Sequence, residues 1–127
     1  MEAETMEDVF GPVISSYSRA QAIDDGFLVD VSEPARECGF TYPVALTRPA
    51  WERAVALKRN YKGVQDEAGR LWDVLWMLYV AIKRRREQGD ELLYRVKISG
   101  RFVTLKSVCG PGDDAEPVIT IMLPDED

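Results

Sequence analysis

The chemistry most concentrated along the chain is carboxylate. Asp113, Asp114 and Glu116 crowd the loop that follows Cys109-Gly110-Pro111-Gly112, and Asp125, Glu126 and Asp127 follow Pro124. Clustered carboxylates imitate the charge of a phosphate backbone and accept bidentate arginine contacts, so these six residues are candidates for holding a basic surface on a partner protein. A hard cation is a poorer fit: the loop lacks the regular ligand spacing and the glycine of a calcium loop, and no metal is expected. Positive charge is densest at Lys83-Arg84-Arg85-Arg86. Four cations on one turn complement the carboxyl end of a helix and make a short footprint for nucleic acid, so direct nucleic-acid binding is disfavoured.

Bond-making chemistry has few carriers. The chain has no histidine, which removes the usual proton-transfer group near pH 7 and the usual transition-metal ligand. Cys109 would need a neighbour to lower its pKa, and Lys106 is the available activator. Asp73 interrupts an apolar stretch, but Arg70 stands three residues before it, which favours an ion pair over a general base. Cys38 and Cys109 form no CxxC pair and read as free thiols. No catalytic residue and no cofactor is assigned.

These residues must be positioned by recognisable elements. Ser16 or Ser18 caps a short helix through Ile23 that stops at Asp25-Gly26, Phe27 to Val31 reads as a strand, and Ser32-Glu33-Pro34 opens a helix ending near Gly39. Tyr42 to Leu46 reads as an edge strand because of Pro43. Thr47-Arg48-Pro49 begins a helix that carries Trp51 and Val55 inward, and Lys58 to Gly63 closes it with a basic turn. Asp66 caps the longest helix, which runs to about Gln88 before Gly89-Asp90. Leu71, Leu75, Leu78 and Ile82 share one of its faces, and Trp72, Trp76 and Tyr79 form a second stripe. So wide an apolar surface is expected to pack against the sheet and the Trp51 helix, with a ligand or partner groove as the alternative.

The last third carries the clearest pattern. Ser99-Gly100 suits a two-residue hairpin turn, and pairing Ile98 with Arg101 sets Val96 opposite Val103 and Tyr94 opposite Leu105 on one face. Arg95 then faces Thr104 and Lys97 faces Phe102 on the other, largely basic face. Val118 to Leu123 supplies a third strand. The fold class is therefore α+β: an antiparallel three-stranded C-terminal meander packed against a long core helix, with short helices and strands before it.

At 127 residues, 46% hydrophobic and 30% charged, the chain fits one domain over 1–127, with an acidic extension at 1–8 and an acidic tail at 124–127. Residues 1–8 hold four acids and 113–127 hold six, neither with a base, which leaves a charge of +4 for residues 9–112 of a chain whose net charge is −6. No secretory pattern opens the sequence, and its longest apolar run, Val74 to Ile82, is too short to span a bilayer. A cytoplasmic location is expected.

Residues 9–14 (Val9-Phe10-Gly11-Pro12-Val13-Ile14), 16–26, 66–76 (Asp66-Glu67-Ala68-Gly69-Arg70-Leu71-Trp72-Asp73-Val74-Leu75-Trp76) and 109–127 resemble a family of small uncharacterised bacterial proteins found on plasmids and other mobile elements. The resemblance implies a genetic setting and no catalytic residue. Small acidic proteins of such elements are similar to inhibitors of host defence complexes, anti-CRISPR and anti-restriction proteins among them, whose targets expose basic nucleic-acid channels. A looser resemblance, to small ADP-ribosyltransferases, rests on Ala20 to Val31, a helix leading through an Asp-Gly turn into an apolar strand. It implies an enzyme using NAD, but the chain lacks a histidine for the nicotinamide-ribose contact and a Glu-x-Glu or Gln-x-Glu pair on a late strand. The function expected from these readings is a non-enzymatic interaction or regulatory protein of a mobile element that meets a basic protein surface through its acids.

Overall fold

Side-chain caps start the helices. Ser18 Oγ accepts the Gln21 N–H while Gln21 Oε1 accepts the Ser18 N–H, a reciprocal cap that opens α1 (Arg19–Asp24). Thr47 caps α3 (Arg48–Ala54) through the Ala50 N–H, with Pro49 in the first turn. Asp66 caps α4 (Glu67–Arg84) through the Gly69 N–H at 2.6 Å. Helix α2 (Ser32–Cys38) ends at Gly39 with φ +115°, where Tyr79 of α4 lies 3.0 Å from the position a Cβ would take. Only glycine accepts both that dihedral and that approach. The computed structural model describes residues 17–57, 66–86 and 88–127. The expectations for the acidic start at 1–8, Ser16 and the basic turn at 58–63 lie outside the described residues.

The strands are β1 (Leu28–Asp30), β2 (Val44–Thr47), β3 (Glu91–Ile98), β4 (Arg101–Pro111) and β5 (Pro117–Met122), arranged as one sheet in the order β1-β2-β5-β4-β3. The hairpin register is the one that turn and alternation dictate: Ile98 pairs with Arg101, Val96 with Val103, Tyr94 with Leu105 and Lys97 with Phe102. Ser99 and Gly100 both have positive φ, 52° and 80°, as a two-residue primed turn requires. Strand β5 pairs antiparallel with β4 and parallel with β2, so the sheet is mixed.

Three expectations change. The antiparallel β3-β4-β5 meander is part of a larger sheet, since β5 continues into β2 and β1 and makes it three strands of five. The strand expected at an edge is interior: β2 lies between β1 and β5, and Val44, Ala45 and Leu46 are fully buried. Pro43 misled because it stands one residue before the strand, where its carbonyl accepts the Ile119 N–H and its missing N–H costs the ladder nothing. The long helix stops at Arg84 instead of near Gln88, because Arg85 is already extended at ψ 146°.

Helices α2, α3 and α4 cover one face of the sheet and enclose Val31, Ala35, Phe40, Leu46, Val55, Leu71, Val74, Leu75, Leu78, Val96, Leu105 and Ile121 in one cluster. Each such aliphatic burial contributes about 1.5–3 kcal/mol before ordering entropy is set against it. Helix α1 holds the opposite face, where the Arg19 guanidinium donates to Thr120 Oγ1 at 2.7 Å and to the Ile119 carbonyl at 2.9 Å. Among the described residues no helix is long and apolar enough to cross a membrane.

Candidate functional site

The six acids flank β5. The β4–β5 turn holding Asp113, Asp114 and Glu116 precedes the strand and Asp125 to Asp127 follow it, with Asp127 lining a hollow beside Arg19, Lys106 and Pro111. Three of the six serve the fold. Asp113 accepts the Arg19 N–H at 2.7 Å and the Ala20 N–H at 3.0 Å, joining the start of α1 to a turn 94 positions later. Glu116 accepts the Asp114 N–H. Glu126 accepts from Thr47 Oγ1 and from the Leu123 N–H, each at 2.8 Å, while Lys106 Nζ donates to its carbonyl. Asp114, Asp125 and Asp127 remain exposed to solvent. Among the described residues no three Cys, Asp or Glu side chains gather in a metal-holding group.

Asp113 is a cap whose consequence is measurable. The two backbone N–H donors hold its carboxyl below the usual aspartate value, with the Arg19 charge adding to them and desolvation opposing. A lowered folded pKa contributes stability that is complete above the unfolded value of about 3.9 and fades as pH falls through the folded one. In Asp113→Ala the Arg19 and Ala20 amides should show the largest gain in hydrogen-exchange rate in the chain, and the acid-side release of α1 should lose its dependence on this carboxyl. Unchanged protection at these two amides would refute the cap.

The cations divide between two hollows and the Tyr79 ring. Lys83 Nζ sits 5.3 Å from the Tyr79 ring centroid, Arg84 lines a groove with Met77, Leu93 and Phe102, and Arg85 donates to the Gly89 carbonyl at 3.0 Å. Arg85 and Arg86 together line a second hollow with Gln88, Glu91 and Leu92. Cys38 is buried among core residues, where desolvation pushes its thiol up and Glu37 adds to the shift, which makes it an inert side chain. Cys109 is half-buried against the core, and both thiols are free.

The two tryptophans of the α4 aromatic stripe are on the surface, and Tyr79 is half-buried. Trp72 and Trp76 are 42% and 43% exposed, contrary to the expectation that the stripe packs against the sheet and the Trp51 helix. The single layer of contacts explains this. Leu71, Val74, Leu75 and Leu78 are buried in the core, while Tyr79 packs against Phe40 and Gly39 at the end of α2. The outward rings order themselves: Trp72 stacks on Trp76 with an interplanar angle of 4°, Trp76 on Tyr79 at 15°, and Lys83 continues the ladder. Met77 beside it, and Leu93 and Phe102 across the groove, are exposed too. Sequence reading identified the stripe but not its outward direction.

A family model described as "Family of unknown function (DUF6573)" matches residues 6–127. The chain belongs to this family. No curated protein and no solved structure matches it. Membership in DUF6573 assigns no reaction or ligand, so the surface chemistry of the chain is the guide to its role.

Proposed function

We propose that this DUF6573 protein acts by binding, not by catalysis, and that the outer face of α4 docks a partner protein whose apolar groove carries an acidic rim. The exposure of Trp72 and Trp76 at the middle of the longest helix carries this reading. Tryptophan, tyrosine, methionine and arginine are the residues enriched where protein interfaces concentrate their energy, and this face presents all four. Because the rings already stack on one another, they form an ordered apolar ridge, a shape that fits an apolar groove. Lys83 and Arg84 at the end of the ladder supply the charge that an acidic rim would match. A host defence complex with a basic nucleic-acid channel, the partner that the mobile-element resemblance implies, would meet the acids and not this face.

A second reading keeps the acids as the docking group. It is supported by Asp114, Asp125 and Asp127, which stay at the surface, and it calls for a basic partner surface. The enzyme alternative draws less support: in the segment 20–31 Asp25 accepts from Tyr17 and Asp30 accepts from Ser32, and neither bond prepares a nucleophile.

One comparison separates the two docking readings. The full chain, Trp72→Ser/Trp76→Ser, and Asp114→Asn/Asp125→Asn/Asp127→Asn are each used to capture partners from the native cell, with Glu126 and Asp113 left intact because they hold the fold. Loss of two central tryptophans should weaken a discrete partner about 100-fold or more, with little change in melting temperature, while the aspartate variant retains it. A partner kept by the tryptophan variant and lost by the aspartate variant would replace the α4 reading with the acidic one. Light scattering on the purified protein shows whether the bound species is instead a second copy.

A further inference from the structure

Beyond the α4 face, we infer that the hollow enclosed by α3, the first turns of α4 and the tip of the β3–β4 hairpin binds a small phosphorylated molecule through Arg53, Arg70 and Arg101. The three guanidiniums come from sequence positions far apart and line one cavity of about 400 Å³, floored by Ala56, Ile98 and Val103. That volume is on the scale of small-molecule sites. One carboxylate lines it, Glu52, and its charge is already shared with Arg48 Nη1 at 3.7 Å. The hollow therefore carries a formal +2 inside a chain whose net charge is −6.

Like charges gathered in a concave site repel one another unless an anion offsets them. Neither Arg53 nor Arg101 has a carboxylate partner among the described residues. Arg70 is held in the wall, donating from Nη1 to the Ala56 carbonyl at 3.2 Å and from Nη2 to Ser99 Oγ at 2.7 Å. Its side chain is thus ordered before a ligand arrives, which lowers the entropic cost of binding. The planar fork of arginine matches phosphate oxygens two at a time, and a formal +2 is balanced by a phosphate dianion, where a carboxylate would leave one charge over. Ala56, Ile98 and Val103 offer the non-phosphate part of the molecule an apolar surface.

The test titrates the full chain, at constant ionic strength, with pyrophosphate, a nucleoside monophosphate and a single-stranded oligonucleotide, read by calorimetry. Saturable binding of at least one of the two small probes is expected. Arg53→Gln and Arg101→Gln should each weaken it about tenfold or more, as loss of a charged hydrogen bond does, whereas Lys97→Gln outside the hollow should not. Trp72→Ser/Trp76→Ser should leave it unchanged, so failure of the α4 reading does not carry this one with it. The proposal is overturned if neither small probe saturates at millimolar concentration, if binding is indifferent to Arg53 and Arg101, or if only the oligonucleotide binds.

Discussion

Leu46→Ala should lower stability by about 2–5 kcal/mol, a drop in melting temperature of roughly 10 °C or more. Leu46 has no solvent exposure, pairs with Val29 of β1 on one side and Ile121 of β5 on the other, and belongs to the main apolar cluster. Truncation removes buried methyl groups and leaves a cavity with strands on both flanks, so little collapse can fill it. Leu93→Ala is the matched control. Leu93 is 61% exposed on the outer strand β3, and its loss should cost no more than about 0.5 kcal/mol. Equal effects of the two substitutions in a denaturant titration would mean that β2 is not interior.

The contrast marks where local pattern stops informing. The β3–β4 register was legible because the Ser99-Gly100 turn fixes it and a one-residue slip would expose Tyr94, Val96 and Ile98 together. Ser18, Thr47 and Asp66 were legible as caps because the orphan N–H groups they satisfy lie within three residues. The place of β2 was not, since it depends on a parallel partner more than 70 positions away, and parallel pairing leaves no turn signature. Strand β5 did carry a hint: buried residues on both its faces, Val118 and Ile119, Ile121 and Met122, describe an interior strand and not the outer strand of a meander.

The candidate sites divide in the same way. Periodicity located the Trp72-Trp76-Tyr79 stripe, but whether a second layer covers it is decided by how far α2 extends, which no window over α4 contains. The acids of the β4–β5 turn read as free charge because the two amides that Asp113 caps belong to another part of the chain. Arg53, Arg70 and Arg101 share no segment and meet only when the hairpin tip closes over α3 and α4. The absence of histidine is legible in the sequence alone, and it removes the commonest proton-transfer group near pH 7.

Tyr94→Phe should make the protein less stable at neutral pH and more stable in alkali. The Tyr94 hydroxyl is buried and donates to the Val74 carbonyl of α4 at 3.1 Å, so removing it costs about 0.5–1.5 kcal/mol at pH 7. Desolvation pushes the phenol far above its usual range, because the phenolate would have to form inside the core. In the unfolded chain the same group ionises near pH 10. Below that value both states keep the proton and pH has no leverage through this residue. Above it the folded state holds a proton that the unfolded state has lost, so stability falls by about 1.4 kcal/mol per pH unit. Phenylalanine has no proton to lose, and its curve lacks this limb. The stabilities of the wild-type protein and the Tyr94→Phe variant should therefore cross between about pH 10 and 11, where the accumulated penalty equals the lost hydrogen bond. Urea titrations of both proteins at pH 7, 9, 10 and 11 would locate the crossing. Parallel curves across that range would mean that the hydroxyl reaches water and that the layer between α4 and β3 is open.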